Sequence, residues 1–344
     1  MERHIFSVSI LNMSQFPKIS ILIAARNEAA NIEKCLEALT RLSYPPEHLE
    51  IWIGNDGSSD NTAELIEKFT TRYAHIHLLN ITGQMGTARG KANVLAHLVQ
   101  RAQGKYWLFT DADIEVPPTW VETMIAAFKN EKVGVVTGIT SMSGNSWFAK
   151  MQAIDWLANL FIIKLLSFLK IPITAMGNNM AVLPEAYRAV GGYENLPFSL
   201  TEDYKLFSAI LDKGYTFEQC YSPEILVQSA PMPTLEQLLQ QRNRWITGAS
   251  RDQQTYRIIV ALLALTYGVA AVCLVIWPQV FLLLWLGKFL LQTLVLAAVM
   301  LYLRQPRLLR GLITFELYAV IFTAILLVYH YRNTDVQWKE RVYS

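Results

Sequence analysis

The sequence predicts an α/β domain with a doubly wound, mostly parallel sheet, followed by transmembrane helices towards the carboxyl end of the chain. From residue 18 onward, short apolar runs alternate with segments of helical periodicity, the pattern of strands joined by crossover helices. Apolar residues make up 52% of the chain and charged residues only 17%. Only five charged residues lie between positions 258 and 331, a depletion that is typical of membrane segments. The composition therefore excludes a disordered chain, a coiled coil and a wholly soluble protein.

The strands are predicted from apolar runs that are nearly continuous, as expected for strands buried on both faces of a sheet. They lie at residues 18–25, 49–54, 75–80, 106–110 and 133–139. Helical patterns lie between and after them, at residues 29–39, 62–73, 91–101, 119–128, 204–211 and about 234–252. Residues 1–17 are expected to form an amino-terminal arm, because they lack the cleavage site of a secretory signal. The α/β domain is thus assigned to residues 18–256.

Three apolar segments in the second part of the chain, within residues 257–331, are candidate transmembrane helices. They lie at about 258–277, 280–303 and 312–329, and each is close to the 20 residues that a bilayer requires. The loop at 304–310 carries three arginines and no acid, which predicts a cytoplasmic position. The α/β domain is then cytoplasmic, on a multi-pass protein of the cell membrane, and the tail at 332–344 lies outside. The alternative is a buried helical hairpin in a soluble protein.

Charged residues within the apolar helices need an explanation. By residue count, Lys288 lies about 22 Å and Glu316 about 6 Å from the inner ends of their helices, so each is expected to extend separately towards the interface. The helical stretch at 147–170 contains four charged residues and is predicted to be an interfacial helix. The alternative is a fourth membrane-spanning helix. It would place the acids at 111–113 and those at 202–203 on opposite sides of the membrane.

Net charge and cysteine content limit the classes of binding partner and the cellular compartment that fit the chain. The net charge of +2 gives no argument for a nucleic-acid partner. Cys35, Cys220 and Cys273 are odd in number and far apart, so neither a disulfide framework nor structural zinc is expected. A reducing compartment fits this cysteine usage better.

Acidic residues follow three of the predicted strands. Glu28 comes after the first strand, Asp56 after the second, and Asp111 and Asp113 after the fourth. In an extended chain, residues two apart point the same way, so the last two carboxylates converge and repel unless a cation lies between them. Mg²⁺ or Mn²⁺, shared with phosphate oxygens, would satisfy both. Helix capping or turn formation is the alternative for Glu28 and Asp56.

Six motifs, in order, carry a resemblance to a known family. They are ARNEAANI at 25–32, NDGSSDNT at 55–62, GK at 90–91, DAD at 111–113, TED at 201–203 and QRNRW at 241–245. This set resembles the family 2 glycosyltransferases of GT-A fold over about residues 18–250. More narrowly, it resembles their membrane-bound branch, which includes ceramide glucosyltransferase-like enzymes and the cellulose and hyaluronan synthases.

The resemblance implies roles for individual residues. It places Asp203 as the catalytic base and Asp113, with Asp111, as the metal ligands. Residues implied for the nucleotide-sugar donor are Ala25, Glu28, Asp56, Lys91, Asp111, Ala112, Asp113 and Arg244. Residues implied for the acceptor are Gly177, Asn178, Glu202, Gln241 and Trp245.

Three of these assignments have plain structural alternatives. Lys91 is equally compatible with a solvated lysine at a helix start. Glu202 and Asp203 also suit the first turn of a helix, where acids interact favourably with the helix dipole. Arg244 and Trp245 would also suit an amphipathic helix at a membrane interface.

The function implied is an inverting, metal-dependent transfer of one sugar, expected from a UDP-sugar, to a lipid or lipid-linked acceptor at the cytoplasmic membrane face. A processive polysaccharide synthase is the first alternative, but the sequence has no spanning helices before the domain to build a channel. A non-catalytic sugar-nucleotide-binding subunit is the second alternative. Such a subunit would be expected to lack the acids of the motifs, but Asp56, Asp111, Asp113 and Asp203 are all present. A transporter is disfavoured because the apolar segments have few polar residues.

Overall fold

The computed structural model describes residues 16–252, 261, 265–266, 268–270, 272–332, 336–338 and 341–343. Residues 1–15 of the predicted arm lie outside this set, as does much of the first predicted span at 258–277. The described chain forms one α/β domain with two long apolar helices packed beside it.

The strands form a large sheet, a small sheet and a terminal hairpin. In chain order they are β1 (Ile19–Ala25), β2 (Leu49–Asn55), β3 (Ile76–Asn80), β4 (Tyr106–Asp111), β5 (Ile114–Glu115), β6 (Val133–Thr137), β7 (Ile139–Met142), β8 (Asn179–Val182), β9 (Thr216–Gln219), β10 (Leu226–Ser229), β11 (Val336–Trp338) and β12 (Arg341–Tyr343). The large sheet has the order β3-β2-β1-β4-β8-β6-β9, and the small sheet has the order β5-β10-β7.

The helices cover both faces of the large sheet and continue into the apolar part of the chain. They are α1 (Ile32–Thr40), α2 (Thr62–Arg72), α3 (Lys91–Val99), α4 (Trp120–Ala126), α5 (Trp147–Phe168), α6 (Pro184–Ala189), α7 (Gly192–Asn195), α8 (Glu202–Asp212), α9 (Leu235–Asp252), α10 (Pro278–Tyr302) and α11 (Leu312–Arg332). A 3₁₀ helix, Pro306–Gly311, leads into α11.

The mostly parallel sheet confirms the predicted fold class. Strands β3, β2, β1 and β4 are parallel neighbours, and alternate residues of β1 face opposite layers, because Ile21 packs with one core and Leu22 with the other. The predicted strand at 133–139 instead divides at Gly138 into β6 and β7, which join different sheets. Strand β8, which was not predicted, runs antiparallel to β4 and β6.

Register brings the ends of three strands to the same level. Ala24 of β1 pairs with Gly54 of β2 and with Asp111 of β4. The loops that follow these strands therefore leave the sheet side by side, at the edge where doubly wound folds bind ligands.

Helix α5 is divided between the domain and an exposed end. Its first half packs into the core, with Met151, Ile154 and Leu157 fully buried. Beyond it, Leu165 and Phe168 are exposed. By length and composition, three helices among the described residues are suited to cross a membrane: α5, α10 and the segment Pro306–Arg332.

Lys288 and Glu316 form an ion pair, so the expectation that they extend separately is wrong. Lys288 Nζ lies 2.5 and 2.7 Å from the two carboxylate oxygens of Glu316, and Gln292 donates a third hydrogen bond at 3.0 Å. The count from position 312 ignored the 3₁₀ helix Pro306–Gly311, which packs beside α10 and adds about 12 Å before α11 begins. With that length included, Glu316 lies about 18 Å from the inner end, near enough to the level of Lys288 for the two side chains to meet.

Helix α11 packs against the α/β domain along its whole length. Near its start, Thr314 accepts a hydrogen bond from Trp147 of α5 at 2.9 Å. Near its end, His330 Nδ1 lies 2.6 Å from Asn243 Oδ1 of α9. The second contact holds the end of α11 against the domain.

Candidate active site

The loops after β1 and β2 are tied together by side chains. Asp60 accepts hydrogen bonds from the backbone N–H groups of Ala29 at 3.0 Å and Thr62 at 3.1 Å. Asn27 has a φ of +52°, a conformation that Asn tolerates, and its side chain accepts from the Ser59 N–H at 2.9 Å. Polar side chains in these motifs thus fix the loop that carries Glu28.

Asp56 lies directly at the end of β2 and is held by β1. Its N–H donates to the Ala25 carbonyl at 2.9 Å. Arg26 Nη1 donates to the Asp56 carbonyl at 2.7 Å and lies 3.7 Å from its carboxylate. The Asp56 carboxylate is therefore positioned next to the loop that follows β1 and is partly neutralised by the Arg26 guanidinium.

Lys91, at the start of α3, connects two groups of acids. Its Nζ lies 2.5 Å from Asp111 Oδ1 and 3.5 Å from Glu202 Oε1, and its side chain is only 15% exposed. Burial lowers the pKa of Lys91, but the two carboxylates outweigh burial and raise that pKa above its ordinary value. The solvated alternative is thereby excluded, because this lysine is a buried cation between acids.

Asp113 is a strongly perturbed carboxylate. Burial and then the charge of Asp111 raise the pKa of Asp113 to about 6, while a 2.7 Å hydrogen bond from Ser229 opposes the rise. Two neighbouring carboxylates that repel each other fit a divalent cation. Among the described residues, no group of three or more His, Cys, Asp or Glu side chains forms a metal site. These two acids would thus hold the ion together with phosphate oxygens, as Mg²⁺ commonly binds.

Asp203 occupies a closely fitted position at the start of α8. Its Oδ2 accepts from the Gly177 N–H at 2.8 Å, and its Oδ1 accepts from the Tyr204 N–H at 2.8 Å. A side chain at position 177 would lie 2.9 Å from that same Oδ2, so only glycine allows this approach. Burial and then the charge of Glu202 raise the pKa of Asp203 to about 6. A carboxylate with such a pKa suits general-base chemistry near neutral pH.

The segment between Gly177 and β8 is fixed by the sheet. The Asn178 carbonyl accepts from the Thr110 hydroxyl at 3.0 Å, and its side-chain oxygen accepts from the Thr140 hydroxyl at 3.0 Å. Asn179, fully buried, donates to the carbonyls of Ile139 and Ile225 at 2.8 and 2.9 Å. Asn179 is therefore a structural residue, whereas Asn178 borders the cavity.

Helix α9 brings the QRNRW motif to the same place. Arg244 Nη1 donates to the Leu200 carbonyl at 3.2 Å, next to the loop that leads to Asp203. Trp245 packs against Trp156 of α5, with ring centroids 4.7 Å apart at an interplanar angle of 32°. In the described part of the chain, Gln241 Oε1 is buried without a hydrogen-bond partner.

A cavity of about 790 Å³ unites these groups. All of the residues predicted for donor, acceptor, base and metal line it. The lining also includes apolar residues of α5, α9 and α11 that were not predicted as part of a site. They include Ile163, Leu166, Ile246, Phe322 and Leu326. The sequence predicts an interfacial helix at 147–170 and a transmembrane helix at 312–329, and nothing in a linear sequence shows that such helices close a cavity.

Comparisons with known proteins identify the family and the fold. The family model described as "Glycosyl transferase family 2" matches residues 20–189, and that of "Glycosyl transferase family group 2" matches residues 108–331. A mannosyltransferase from Pyrobaculum calidifontis, solved in complex with GDP-Man and Mn²⁺, is similar in fold. It is 17% identical with a TM-score of 0.53, and the match covers 88% of each chain.

Two kinds of curated relative match the chain. A beta-monoglucosyldiacylglycerol synthase of Trichormus variabilis is 30% identical over 70% of this chain and 50% of its own length. A poly-beta-1,6-N-acetyl-D-glucosamine synthase of Staphylococcus aureus is 31% identical over 69% of this chain and 56% of its own length. The chain therefore matches about half the length of the curated relatives.

Proposed function

Because this chain belongs to the family 2 glycosyltransferases, we propose that it transfers a sugar with inversion from a UDP-sugar to the hydroxyl of a lipid or lipid-linked acceptor. The observation that carries the proposal is the composition of the cavity. Its lining combines charged side chains such as Asp111, Lys91 and Asp203 with apolar side chains such as Leu166 and Phe322. A polar reaction centre continuous with an apolar space suits an acceptor with a hydrocarbon part.

On the donor side, the residues bind the nucleotide and balance the charge of the leaving group. Asp56 and Glu28 lie on the loops that would border the base and ribose. Lys91 and Arg244 supply fixed positive charge near the diphosphate, whose negative charge grows as the sugar leaves. Glu202 and Asp111 hold the Lys91 ammonium in place at 3.5 and 2.5 Å.

A divalent ion held by Asp111 and Asp113 would, when bound, neutralise the leaving diphosphate as a Lewis acid. The mutual repulsion of these two carboxylates supports its binding, because a cation relieves it. Ser229, which donates to Asp113, fixes the orientation of that carboxylate.

On the acceptor side, Asp203 removes the proton of the attacking hydroxyl. The hydroxyl oxygen forms its new bond to the anomeric carbon, and the proton moves to the Asp203 carboxylate. The bond between that carbon and the diphosphate breaks, and its electron pair remains on the diphosphate oxygen. The Gly177 and Tyr204 N–H groups keep the carboxylate oriented, while Trp245 offers an aromatic surface for the acceptor.

We place this reaction at the cytoplasmic face of the cell membrane, where nucleotide sugars are made. The arginine-rich loop lies on the α/β domain: Arg307 donates to the carbonyls of Met142 and Gly144 at 2.6 and 2.7 Å, and Arg304 pairs with Glu224 at 3.3 Å. A loop of this charge favours the cytoplasmic side, which supports the same side for the domain. The apolar end of α5 would rest on that membrane surface.

The test is a donor and acceptor panel. The purified full chain in lipid nanodiscs is given UDP-glucose, UDP-N-acetylglucosamine or GDP-mannose, with dioleoylglycerol or a polyprenyl phosphate as acceptor. Release of nucleoside diphosphate and mass spectrometry of the lipid fraction are measured, with Asp203→Asn as the matched inactive control. The expected result is a lipid that carries a single sugar. Long glycan chains would indicate a polysaccharide synthase, and no acceptor-dependent release with any pair would contradict the proposal.

A further inference from the structure

The cavity lining includes a cluster of four side chains from two helices. Asp155 and Trp156 lie on α5, and Arg242 and Trp245 lie on α9. Arg242 Nη2 is 2.8 Å from Asp155 Oδ2. The Arg242 guanidinium carbon lies 4.7 Å from the Trp156 ring centroid and 4.8 Å from that of Trp245, while the two rings are 4.7 Å apart. The guanidinium and the two indoles thus form a nearly equilateral triangle.

Arg242 is suited to hold this triangle because of its shape. It is only 7% exposed, so its attraction to the aromatic rings is little weakened by water. The planar guanidinium can contact two rings while it keeps a directional hydrogen bond to a carboxylate, which a lysine ammonium cannot reproduce. The hydrogen bond to Asp155 fixes the rotation of the guanidinium between the two rings. All four residues line the cavity.

We propose that Arg242, anchored by Asp155, is a positioning residue that sets the orientation of Trp245 for the acceptor. The proposal rests on the proposed function, in which Trp245 contacts the acceptor. Arg242 itself acts through Trp245 and not on the donor. The proposed donor contacts Asp56, Lys91 and Asp111 lie on other elements, and Arg244, which shares α9 with Arg242, donates instead to the Leu200 carbonyl. Loss of the triangle should therefore weaken acceptor use and spare donor binding.

The first measurement is direct and requires no substrate. The full chain, in nanodiscs, is labelled with 5-fluorotryptophan, and the fluorine resonances of Trp245 and Trp156 are assigned through Trp245→Phe and Trp156→Phe. Arg242→Lys is expected to shift both resonances. The matched control is Arg188→Lys, because Arg188 lies 5.4 Å from the Trp107 ring, outside the cavity. The control should shift Trp107 alone, and its dispersed spectrum provides the reference for a folded chain.

The second measurement is a double-mutant cycle on acceptor KM, with UDP-glucose as donor and dioleoylglycerol in nanodiscs as acceptor. Arg242→Lys and Trp245→Phe are each expected to raise acceptor KM by roughly five- to thirtyfold, the size of desolvated cation–π contacts. The double variant should be no worse than the worse single variant. The affinity for UDP and the kcat at saturating acceptor should remain near wild type, as should both quantities in Arg188→Lys.

The outcomes distinguish a failure of the positioning role of Arg242 from a failure of the proposed function. An unchanged Trp245 resonance in Arg242→Lys overturns the positioning role, and so do effects on KM that multiply in the double variant. A wild-type chain that does not use dioleoylglycerol counts against the proposed acceptor, while the fluorine spectra still decide the role of Arg242.

Discussion

At the scale of single residues, the position of Asp203 depends on the absence of a side chain at Gly177. A Cβ there would lie 2.8 Å from Asp203 Cβ and 2.9 Å from Oδ2, so Gly177→Ala must displace the carboxylate. We expect kcat to fall by roughly 10²-fold or more, as when a catalytic group is misplaced by about 1 Å. UDP affinity, measured by calorimetry, should stay unchanged. Gly287→Ala is the control, because that site has open space around it; normal turnover in Gly177→Ala would contradict this explanation.

The roles of Asp203 and Asp56 differ in which state of the reaction they stabilise. As a base, Asp203 acts only as the acceptor hydroxyl loses its proton, so Asp203→Asn should lower kcat by about 10²–10⁴-fold and leave UDP binding intact. Under the proposed function Asp56 contacts the nucleotide in both states, so Asp56→Ala should weaken UDP binding. The test measures UDP affinity by calorimetry and kcat by turnover for both variants. Equal loss of UDP binding in both variants would mean that Asp203 is not the base.

The acidity of Asp203 predicts the pH dependence of turnover. Its pKa is raised to about 6, and a base must be deprotonated to act. Because this pKa is that of the ligand-free protein, kcat/KM should be constant above pH 7 and fall about tenfold per unit well below pH 6. An ion bound by Asp113 would keep that second acid ionised, so the acid limb belongs to Asp203. A kcat/KM profile that remains flat down to pH 5 would contradict the assignment.

Asp113 is expected to matter for metal binding itself. In the presence of UDP, the full chain should bind Mn²⁺ and reduce the electron paramagnetic resonance signal of the free ion. Asp113→Asn should lose most of this binding, because it removes a charged oxygen ligand. Asp212→Asn, an exposed acid at the end of α8, is the control. Equal binding by both variants would show that Asp113 is not a ligand.

The sequence was informative about these acids because of one geometric rule. Parallel strands end at the same edge of a sheet, so Glu28, Asp56 and Asp111 could be placed together from their positions in the chain. Arg242 and its partner Asp155 are separated by 87 positions, and no local pattern links them. Their contact depends on how α5 and α9 pack, which a single sequence does not reveal.

At the scale of elements, the pair Lys288–Glu316 shows how a short helix changes the prediction. Glu316 is buried and shares its oxygens between Lys288 and Gln292. Lys288→Met leaves a buried carboxylate without its cation, so the free energy of unfolding should fall by about 1–3 kcal/mol. Lys288→Met with Glu316→Met removes both charges and should recover most of that loss. Thermal unfolding in nanodiscs measures this; a double variant less stable than the single one would contradict it.

Strand β8 is another element that the sequence did not predict. It has only four residues, Asn179–Val182, too few for a clear apolar period. Its position nevertheless decides the role of α5. Because β8 pairs directly with β4, the segments before and after α5 belong to one sheet. This pairing supports an α5 that stays on one side of the membrane.

At the scale of the whole molecule, the packing of α11 bears on the side of the membrane on which residues 332–344 lie. His330 lies 18 residues after Leu312, about 27 Å along the helix, which is close to the hydrocarbon thickness of a bilayer. If α11 stood across the bilayer, His330 would reach the far surface. Its hydrogen bond to Asn243 would then place α9 there too. Arg244, next to Asn243, borders the donor cavity and must remain on the side of the nucleotide sugar.

The contact therefore predicts that the arginine-rich loop and the tail share the cytoplasmic side. In a chain with Cys35, Cys220 and Cys273 replaced by serine, single cysteines are placed by Gln305→Cys or Ser344→Cys. Neither should react with an impermeant thiol reagent in intact cells, and both should react after permeabilisation, which serves as the control. Labelling of Ser344→Cys alone would mean that α11 crosses the membrane and that the Asn243–His330 contact does not form in the bilayer. Labelling of Gln305→Cys would place the α/β domain outside, away from its donor.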